Sequence, residues 1–367
     1  MIGKNIKHIM NMGDPPSFDD VMIVPTYSEL RSRSIPDIKT NVAGLSLAAP
    51  IISSPMDTVT GSKMAHTMAL NGGLGILHRF LSKEDQANMI HRLIELSEKD
   101  RSAISQPTIV PAIGVGESER ERFLYLLSKF KEQLSAVAID VANGDSSYMV
   151  EMVRWVKDIT HGEMPVIAGN VATGEAFVRL AEAGVNAVRV GIGGGSICKT
   201  RIMTGIGVPT LASVVDCYQA RLSNSLYGNV SIIADGGIRY PADLVKSLAS
   251  GADAIIAGKI FAATLDAPGE ISMINGSKVK VYRGMASKEV QEDRRGGLRP
   301  GTCAEGVSTY IPLKGKARYV IDEFCGGLRS AMTYVNARNL IGLRENSRFI
   351  RITPSALDES HAFGTKQ

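Results

Sequence analysis

The segment Val188-Arg189-Val190-Gly191-Ile192-Gly193-Gly194-Gly195-Ser196-Ile197-Cys198 is a short β-branched run that ends in a glycine-rich turn and a cysteine. Seven other short apolar, β-rich runs recur along the chain at roughly regular intervals. They cover residues 51–54, 75–78, 109–114, 137–141, 166–171, 232–237 and 255–259. Helical stretches separate most of them, such as Ser82–Lys99, which opens with a capping-box pattern at Ser82 and Asp85. Eight strand–helix units in series predict an α/β fold, a (β/α)8 barrel.

The composition is typical of a chain with a large buried core. Of its 367 residues, 44% are hydrophobic and 21% are charged. Since no linker rich in proline, serine or charge interrupts the chain, we expect one domain over residues 1–367. The formal net charge of +4 is small and its cations are dispersed, which argues against a nucleic-acid partner and suits an anionic small substrate.

The apolar runs and the cysteines indicate the setting of the protein. Every apolar run is shorter than the roughly eighteen residues that a membrane helix needs, and residues 1–13 lack a signal-peptide core. We therefore expect no membrane association and a cytoplasmic location. The four cysteines are too sparse for a disulfide scaffold and have no metal-type spacing, so free thiols are expected.

The candidate site lies where the strands end, because the active sites of such barrels lie at the carboxyl ends of the strands. After the sixth run, the glycines allow main-chain N–H groups to close on phosphate oxygens, Ser196 adds a hydroxyl donor and Cys198 a soft nucleophile. Residues 267–314 follow the eighth run, lack clear periodicity and contain Gly296-Gly297 and Pro300-Gly301. Such a segment predicts a long mobile lid.

With these residues in place, the chain resembles the family of IMP dehydrogenases and GMP reductases, purine-nucleotide enzymes built on a (β/α)8 barrel. The resemblance runs from Phe18-Asp19-Asp20-Val21 to Phe349-Ile350-Arg351-Ile352-Thr353. Many of the dehydrogenases insert a regulatory pair of repeats, the CBS domains, after the second barrel helix. Only Glu95–Pro107 separates that helix from the third strand here, so we expect a catalytic barrel without CBS domains.

Three segments resemble the GMP reductase branch. Two of them have sequences similar to those of the reductases: Asp140-Val141-Ala142-Asn143-Gly144 and Ala331-Met332-Thr333-Tyr334-Val335. The lid, Met285–Glu305, has reductase-like length and lacks the Arg-Tyr-Phe element that supplies the water-activating base of the dehydrogenases. This resemblance implies reductive deamination of GMP to IMP and ammonia with NADPH as hydride donor.

Two alternatives stay open. Ser53–Thr60 and Ile233–Arg239 read more like an IMP dehydrogenase, which would oxidise IMP to XMP with NAD. Lys199, Lys259 and Thr302 depart from the usual family residues, so a purine-nucleotide-binding barrel without turnover, or an altered substrate, is the other alternative.

The resemblance also implies roles for individual residues. Cys198 is the nucleophile that adds to C2 of the purine, and Thr200 with Glu305 is the acid–base pair that releases ammonia. The implied nucleotide-binding residues are Ser54, Met56, Ser196, Asp235, Gly237, Gly258, Tyr282, Gly284 and Met285. Asp140 and Asn143 are implied at the nicotinamide. A potassium ion is implied on the carbonyls of Gly193, Gly195 and Cys198, and the assembly is implied to be a homotetramer.

Overall fold

Eight parallel strands close into a barrel in the order of the chain. The computed structural model describes residues 4–11, 13–100, 107–297 and 301–360. The last barrel strand pairs with the first, with Ile255 opposite Ile51, and this pairing closes the barrel. The strands are Ile51–Ser53, Leu74–Leu77, Val110–Ile113, Val137–Asp140, Val166–Val171, Ala187–Val190, Ser231–Asp235 and Ala254–Ala257. The predicted (β/α)8 barrel is confirmed.

A long helix follows each barrel strand before the next begins. The helix Lys83–Lys99 begins after Ser82, whose hydroxyl accepts the Asp85 N–H as the capping-box pattern predicts. The eight helices are Ser62–Leu70, Lys83–Lys99, Glu117–Phe130, Ser147–Ile159, Gly174–Ala183, Thr210–Ser223, Pro241–Ala249 and Ala317–Tyr334. None of the helices in the described parts of the chain is long and apolar enough to cross a membrane.

Both faces of the barrel strands are buried, which is why the strands read as continuous apolar runs. One face packs against the helices, for example through Val188 and Val190 of the sixth strand. The other face fills the barrel interior with residues such as Ile76, Ala112 and Ile233. The hairpin Thr40–Val42 with Leu45–Leu47 packs into this interior cluster through Val42, Ala43 and Leu47.

Shorter elements surround the barrel. Two 3-10 turns cover Phe18–Asp20 and Ser225–Tyr227, and an antiparallel pair joins Val21–Val24 to Arg348–Arg351. The short helices are Ile6–Met10, Thr200–Thr204, Lys259–Ala262, Leu340–Asn346 and Pro354–Asp358. Thr200–Thr204 and Lys259–Ala262 follow the sixth and eighth strands, so both lie at the face where the site is expected.

The lid contains more regular structure than its sequence predicts. Within residues 267–314, the strands Ser272–Ile274, Ser277–Arg283 and Ser308–Pro312 form an antiparallel sheet, and Lys288–Arg295 forms a helix. The lack of clear periodicity in this sequence therefore does not correspond to a lack of secondary structure. The first two strands meet at Asn275-Gly276, both with positive φ, a two-residue turn typical of hairpins. Pro300 of the predicted lid lies outside the described residues, and so do residues 101–106 of the predicted short connection.

Candidate active site

A cavity of about 640 Å³ opens at the carboxyl ends of the barrel strands, under the lid. This volume falls in the usual range for small-molecule sites. The nine residues predicted to bind the nucleotide all line it: Ser54, Met56, Ser196, Asp235, Gly237, Gly258, Tyr282, Gly284 and Met285. Cys198, Thr200, Glu305, Asp140, Gly193 and Gly195 line it as well. The fold thus brings together residues that are far apart in the sequence.

The glycines after the sixth strand allow the nucleophile loop to pass close to the seventh strand. Gly191 has φ +142°, and a Cβ there would lie 1.9 Å from the carbonyl oxygen of Asp235. A Cβ at Gly194 would lie 2.5 Å from the hydroxyl of Thr210. Larger side chains do not fit at either position. The loop therefore reaches Cys198 along a path that only glycines allow.

Cys198, Thr200 and Glu305 form a chain of hydrogen bonds. The Cys198 thiol lies 3.2 Å from the Thr200 hydroxyl, and this hydroxyl donates to Oε2 of Glu305 over 2.7 Å. Cys198 and Thr200 flank the start of a short helix, so both side chains come from one turn of backbone. The chain connects a nucleophile to a carboxyl group through a hydroxyl that can relay a proton.

The main chain holds Glu305 against the nucleophile loop. The Lys199 N–H donates to the Glu305 carbonyl over 2.7 Å, and the Val307 N–H donates to the Ile197 carbonyl over 3.1 Å. A third bond runs from the Glu305 N–H to the Ala286 carbonyl at 3.1 Å. Because main-chain hydrogen bonds fix the lid segment at and next to Glu305, backbone geometry holds the Glu305 carboxyl group near Cys198.

Tyr282 packs against the turn that follows the eighth strand. A Cβ at Gly258 would lie only 2.6 Å from the Tyr282 hydroxyl oxygen and 3.2 Å from the Met56 sulfur, so this position needs a glycine. Burial raises the pKa of Tyr282 to about 12, although a hydrogen bond with Ser196 opposes the shift. The hydroxyl is therefore protonated at neutral pH and remains a hydrogen-bond donor at this end of the cavity.

Arg189 joins two predicted site residues, and sequence reasoning missed it. Its guanidinium donates to Oδ2 of Asp235 over 2.7 Å and 3.2 Å and also to Oδ1 of Asp140. The Asn170 amide donates to the same Asp235 oxygen over 2.8 Å. Burial alone would lower the pKa of Arg189, but the two carboxylates outweigh burial and raise it. Arg189 is the charged residue inside the apolar sixth strand, and this was the available signal.

Asn143 is placed differently from the other predicted residues. It does not belong to the cavity lining, is exposed, and its side-chain oxygen accepts the Asp145 N–H over 3.2 Å. Asp140 does line the cavity, and its main-chain carbonyl accepts a 3.0 Å hydrogen bond from Arg79. Of the two residues predicted at the nicotinamide, the structure therefore brings only Asp140 to the cavity.

Comparisons with known proteins identify the family. A model of the IMP dehydrogenase / GMP reductase domain matches residues 16–363. The inosine-5'-monophosphate dehydrogenase of Cryptosporidium parvum is 34% identical, over 96% of this chain and 95% of its own. The dehydrogenase of that name from Borreliella burgdorferi is 33% identical over 94% and 96%, and the one from Methanocaldococcus jannaschii is 30% identical over 97% and 96%. The chain belongs to the family of IMP dehydrogenases and GMP reductases, oxidoreductases that act on purine nucleotides with NAD or NADP.

Proposed function

We propose that the protein is a GMP reductase, which converts GMP to IMP and ammonia at the expense of NADPH. The observation that carries this proposal is the chain of hydrogen bonds from Cys198 through Thr200 to Glu305. Deamination needs a nucleophile at C2 and an acid for the leaving amine. Cys198 is the proposed nucleophile, and Glu305 is the proposed acid. Among the described residues of Met285–Glu305, those that line the cavity include no arginine or tyrosine that could activate water.

The first step forms a bond between Cys198 and the purine. The sulfur adds to C2, and the thiol proton passes to the ring nitrogen. Glu305 then protonates the 2-amino group through the Thr200 hydroxyl, the C2–N bond breaks and ammonia leaves. The product is a thioimidate between Cys198 and the purine that keeps the former thiol proton on its ring nitrogen, and Glu305 regains its proton from solvent.

The second step reduces the thioimidate. The nicotinamide would supply a hydride to C2 when it is bound, and this hydride neutralises the protonated thioimidate. The C2–S bond then breaks, the proton on the ring nitrogen returns to the Cys198 sulfur, and IMP is released. Asp140 lies at the rim where the nicotinamide is proposed to bind, and Arg189 fixes its carboxylate. Asn143, three residues further along the chain, is also proposed to contact the nicotinamide.

The nucleotide is held at its ribose and phosphate. Asp235 accepts from the ribose hydroxyls, because a carboxylate offers two acceptor oxygens and Arg189 orients it. Ser196, Tyr282 and the glycines at 237 and 258 supply neutral donors and open main chain for the phosphate. Ser54, Met56, Gly284 and Met285 complete the walls around the base.

The potassium site and the tetramer remain part of the proposal. Gly193, Gly195 and Cys198 would contribute main-chain oxygens, and oxygen donors suit a hard monovalent cation. In the described parts of the chain, no cluster of three His, Cys, Asp or Glu side chains could hold a metal ion. A cation at this loop would therefore depend on main-chain oxygens, and it would stiffen the loop that presents Cys198.

IMP dehydrogenase is the second candidate, and the named relatives favour it. The three relatives reported above carry that name and align over almost their full length. In the dehydrogenase reaction, the hydride leaves C2 of IMP for NAD, and water then hydrolyses the thioimidate to XMP. The Thr200–Glu305 pair would have to take the proton of that water.

An assay of both candidate reactions tests the proposal. The protein is supplied with GMP and NADPH in one reaction and with IMP and NAD in another, with potassium present, and nicotinamide absorbance is followed. We expect NADPH consumption with stoichiometric ammonia in the first reaction and loss of turnover in Cys198→Ala. NADH formation in the second reaction alone would establish the dehydrogenase, and silence in both with retained nucleotide binding would establish the binding-only alternative.

A further inference from the structure

Five cationic side chains line the active-site cavity, and the four arginines among them have protein partners. Three of them hold carboxylates, and one holds main-chain carbonyls. The partners are Glu119 and Asp140 for Arg79, Asp140 and Asp235 for Arg189, Asp19 and Asp243 for Arg239, and the carbonyls of Ile192 and Val208 for Arg201. Carboxylates thus compensate the charge of three of these arginines, and the carbonyl partners of Arg201 hold its guanidinium at the loop after the sixth strand.

Lys259 is the fifth cation, and it differs from the arginines. Within the described parts of the chain its ammonium group has neither a carboxylate nor a carbonyl partner, and Lys259 is an exposed residue of the cavity lining. Lys259 follows directly after the eighth strand, Ala254–Ala257. An unpaired ammonium group at the wall of a cleft attracts an anion more strongly than a paired one.

The neighbours of Lys259 are the neutral donors of the proposed phosphate end. Gly258 packs against the Tyr282 hydroxyl, and Ser196 lines the same cavity. These groups can orient phosphate oxygens but carry no charge. A phosphate monoester is close to a dianion at neutral pH. Lys259 would supply the positive charge that these neutral donors lack.

We propose that Lys259 is a specificity-determining residue that binds the dianionic phosphate of the purine mononucleotide and so selects nucleotides over nucleosides. This inference rests on the proposed nucleotide site but not on which of the two reactions the protein catalyses. A hydrogen bond between two charged groups changes affinity by about tenfold to a hundredfold. Lys259 is expected to contribute in that range to GMP or IMP and nothing to guanosine or inosine.

Titration calorimetry on the full chain tests this role without turnover. GMP, IMP, guanosine and inosine are titrated into the wild type, Lys259→Gln, Lys259→Arg and Lys278→Gln. Lys278 is an exposed lysine of the lid sheet outside the cavity lining and serves as the matched control. We expect Lys259→Gln to weaken nucleotide binding about tenfold to a hundredfold, with nucleoside binding unchanged, Lys259→Arg largely rescued and Lys278→Gln like wild type.

The remaining outcomes separate the two proposals. Unchanged nucleotide affinity in Lys259→Gln, or an equal loss for nucleotides and nucleosides, would overturn the role of Lys259. If Lys259 has this role but the protein catalyses neither reaction, the proposed function fails and the role of Lys259 stands. If the wild type binds neither GMP nor IMP, both proposals fail. Higher salt should weaken nucleotide binding more in the wild type than in Lys259→Gln.

Discussion

The Thr200 hydroxyl donates a 2.7 Å hydrogen bond to Oε2 of Glu305, although 105 residues separate the two in the chain. Thr200 belongs to the loop after the sixth barrel strand, and Glu305 belongs to the lid. The main-chain bond from Lys199 to the Glu305 carbonyl, 2.7 Å long, fixes the same junction. A side-chain and a main-chain hydrogen bond thus join the lid to the loop after the sixth strand, and the acid–base role that we propose for Thr200 and Glu305 can be tested.

Glu305→Gln should slow catalysis without removing the nucleotide. The amide can still accept the Thr200 hydroxyl but cannot deliver a proton, so kcat should fall by about 10²–10⁴-fold. The dissociation constant for GMP should change little. Steady-state kinetics with titration calorimetry checks this. Glu270→Gln, at an exposed lid acid outside the cavity lining, is the control, and full activity in Glu305→Gln would contradict the proton-transfer role.

Arg189→Met should destabilise the fold and weaken nucleotide binding together. The change leaves two carboxylates, Asp140 and Asp235, facing each other without their shared cation. Removing one partner from a buried charge cluster costs about 3–5 kcal/mol of unfolding free energy. Denaturant unfolding checks this, with Arg154→Met on an exposed helix position as control. Equal stability of the two variants would show that Asp140 and Asp235 do not depend on Arg189.

Gly258→Ala should disturb the phosphate end of the cavity. The added Cβ would lie 2.6 Å from the Tyr282 hydroxyl oxygen, so the tyrosine has to move. We expect a higher dissociation constant for GMP with a smaller effect on guanosine, measured by calorimetry. Gly326→Ala is the control, because that helical position has no atom within 4 Å of a new Cβ and an alanine there should be neutral or stabilising. Unaltered GMP affinity in Gly258→Ala would remove Tyr282 from the phosphate site.

The four cysteines should differ in their reaction with iodoacetamide at pH 8. Burial raises the pKa of the Cys325 thiol to about 11 and also raises that of Cys217. At pH 8 only about one Cys325 in a thousand is a thiolate, so both buried cysteines should stay unmodified. Cys198 and Cys303 are accessible and should react. Peptide mass spectrometry should show that GMP protects Cys198 but not Cys303, and labelling of Cys217 in the folded protein would contradict its burial.

The barrel could be predicted from the sequence because its strands are buried on both faces. Runs such as 109–114 and 166–171 consist mostly of apolar residues and glycine, and the structure places a barrel strand in each. The lid could not be predicted in the same way. Its strand Ser277–Arg283 has exposed and buried positions with few large apolar residues, and Ser272–Ile274 is exposed throughout. Asn275-Gly276 was the signal that could have revealed the hairpin.

The site was predictable as far as residues follow strand ends. Asp235 ends the seventh barrel strand, Gly258 directly follows the eighth, and Cys198 lies on the loop after the sixth, so their convergence follows from the fold. Glu305 has no such position, and its contact with Thr200 depends on lid pairing that only the structure reveals. Asn143 also follows a barrel strand, but it is exposed and its side-chain oxygen accepts the Asp145 N–H, so its position relative to the cavity could not be predicted from the sequence.

The most direct test of the proposed reaction is the mass of the protein after mixing with substrate and no hydride donor. With GMP alone, deamination should leave an adduct on the Cys198 peptide with the mass of GMP less one ammonia, together with one equivalent of free ammonia. The Cys198→Ala protein should show neither. An adduct of the same mass that forms only from IMP together with NAD, and never from GMP, would contradict the reductase and identify the dehydrogenase.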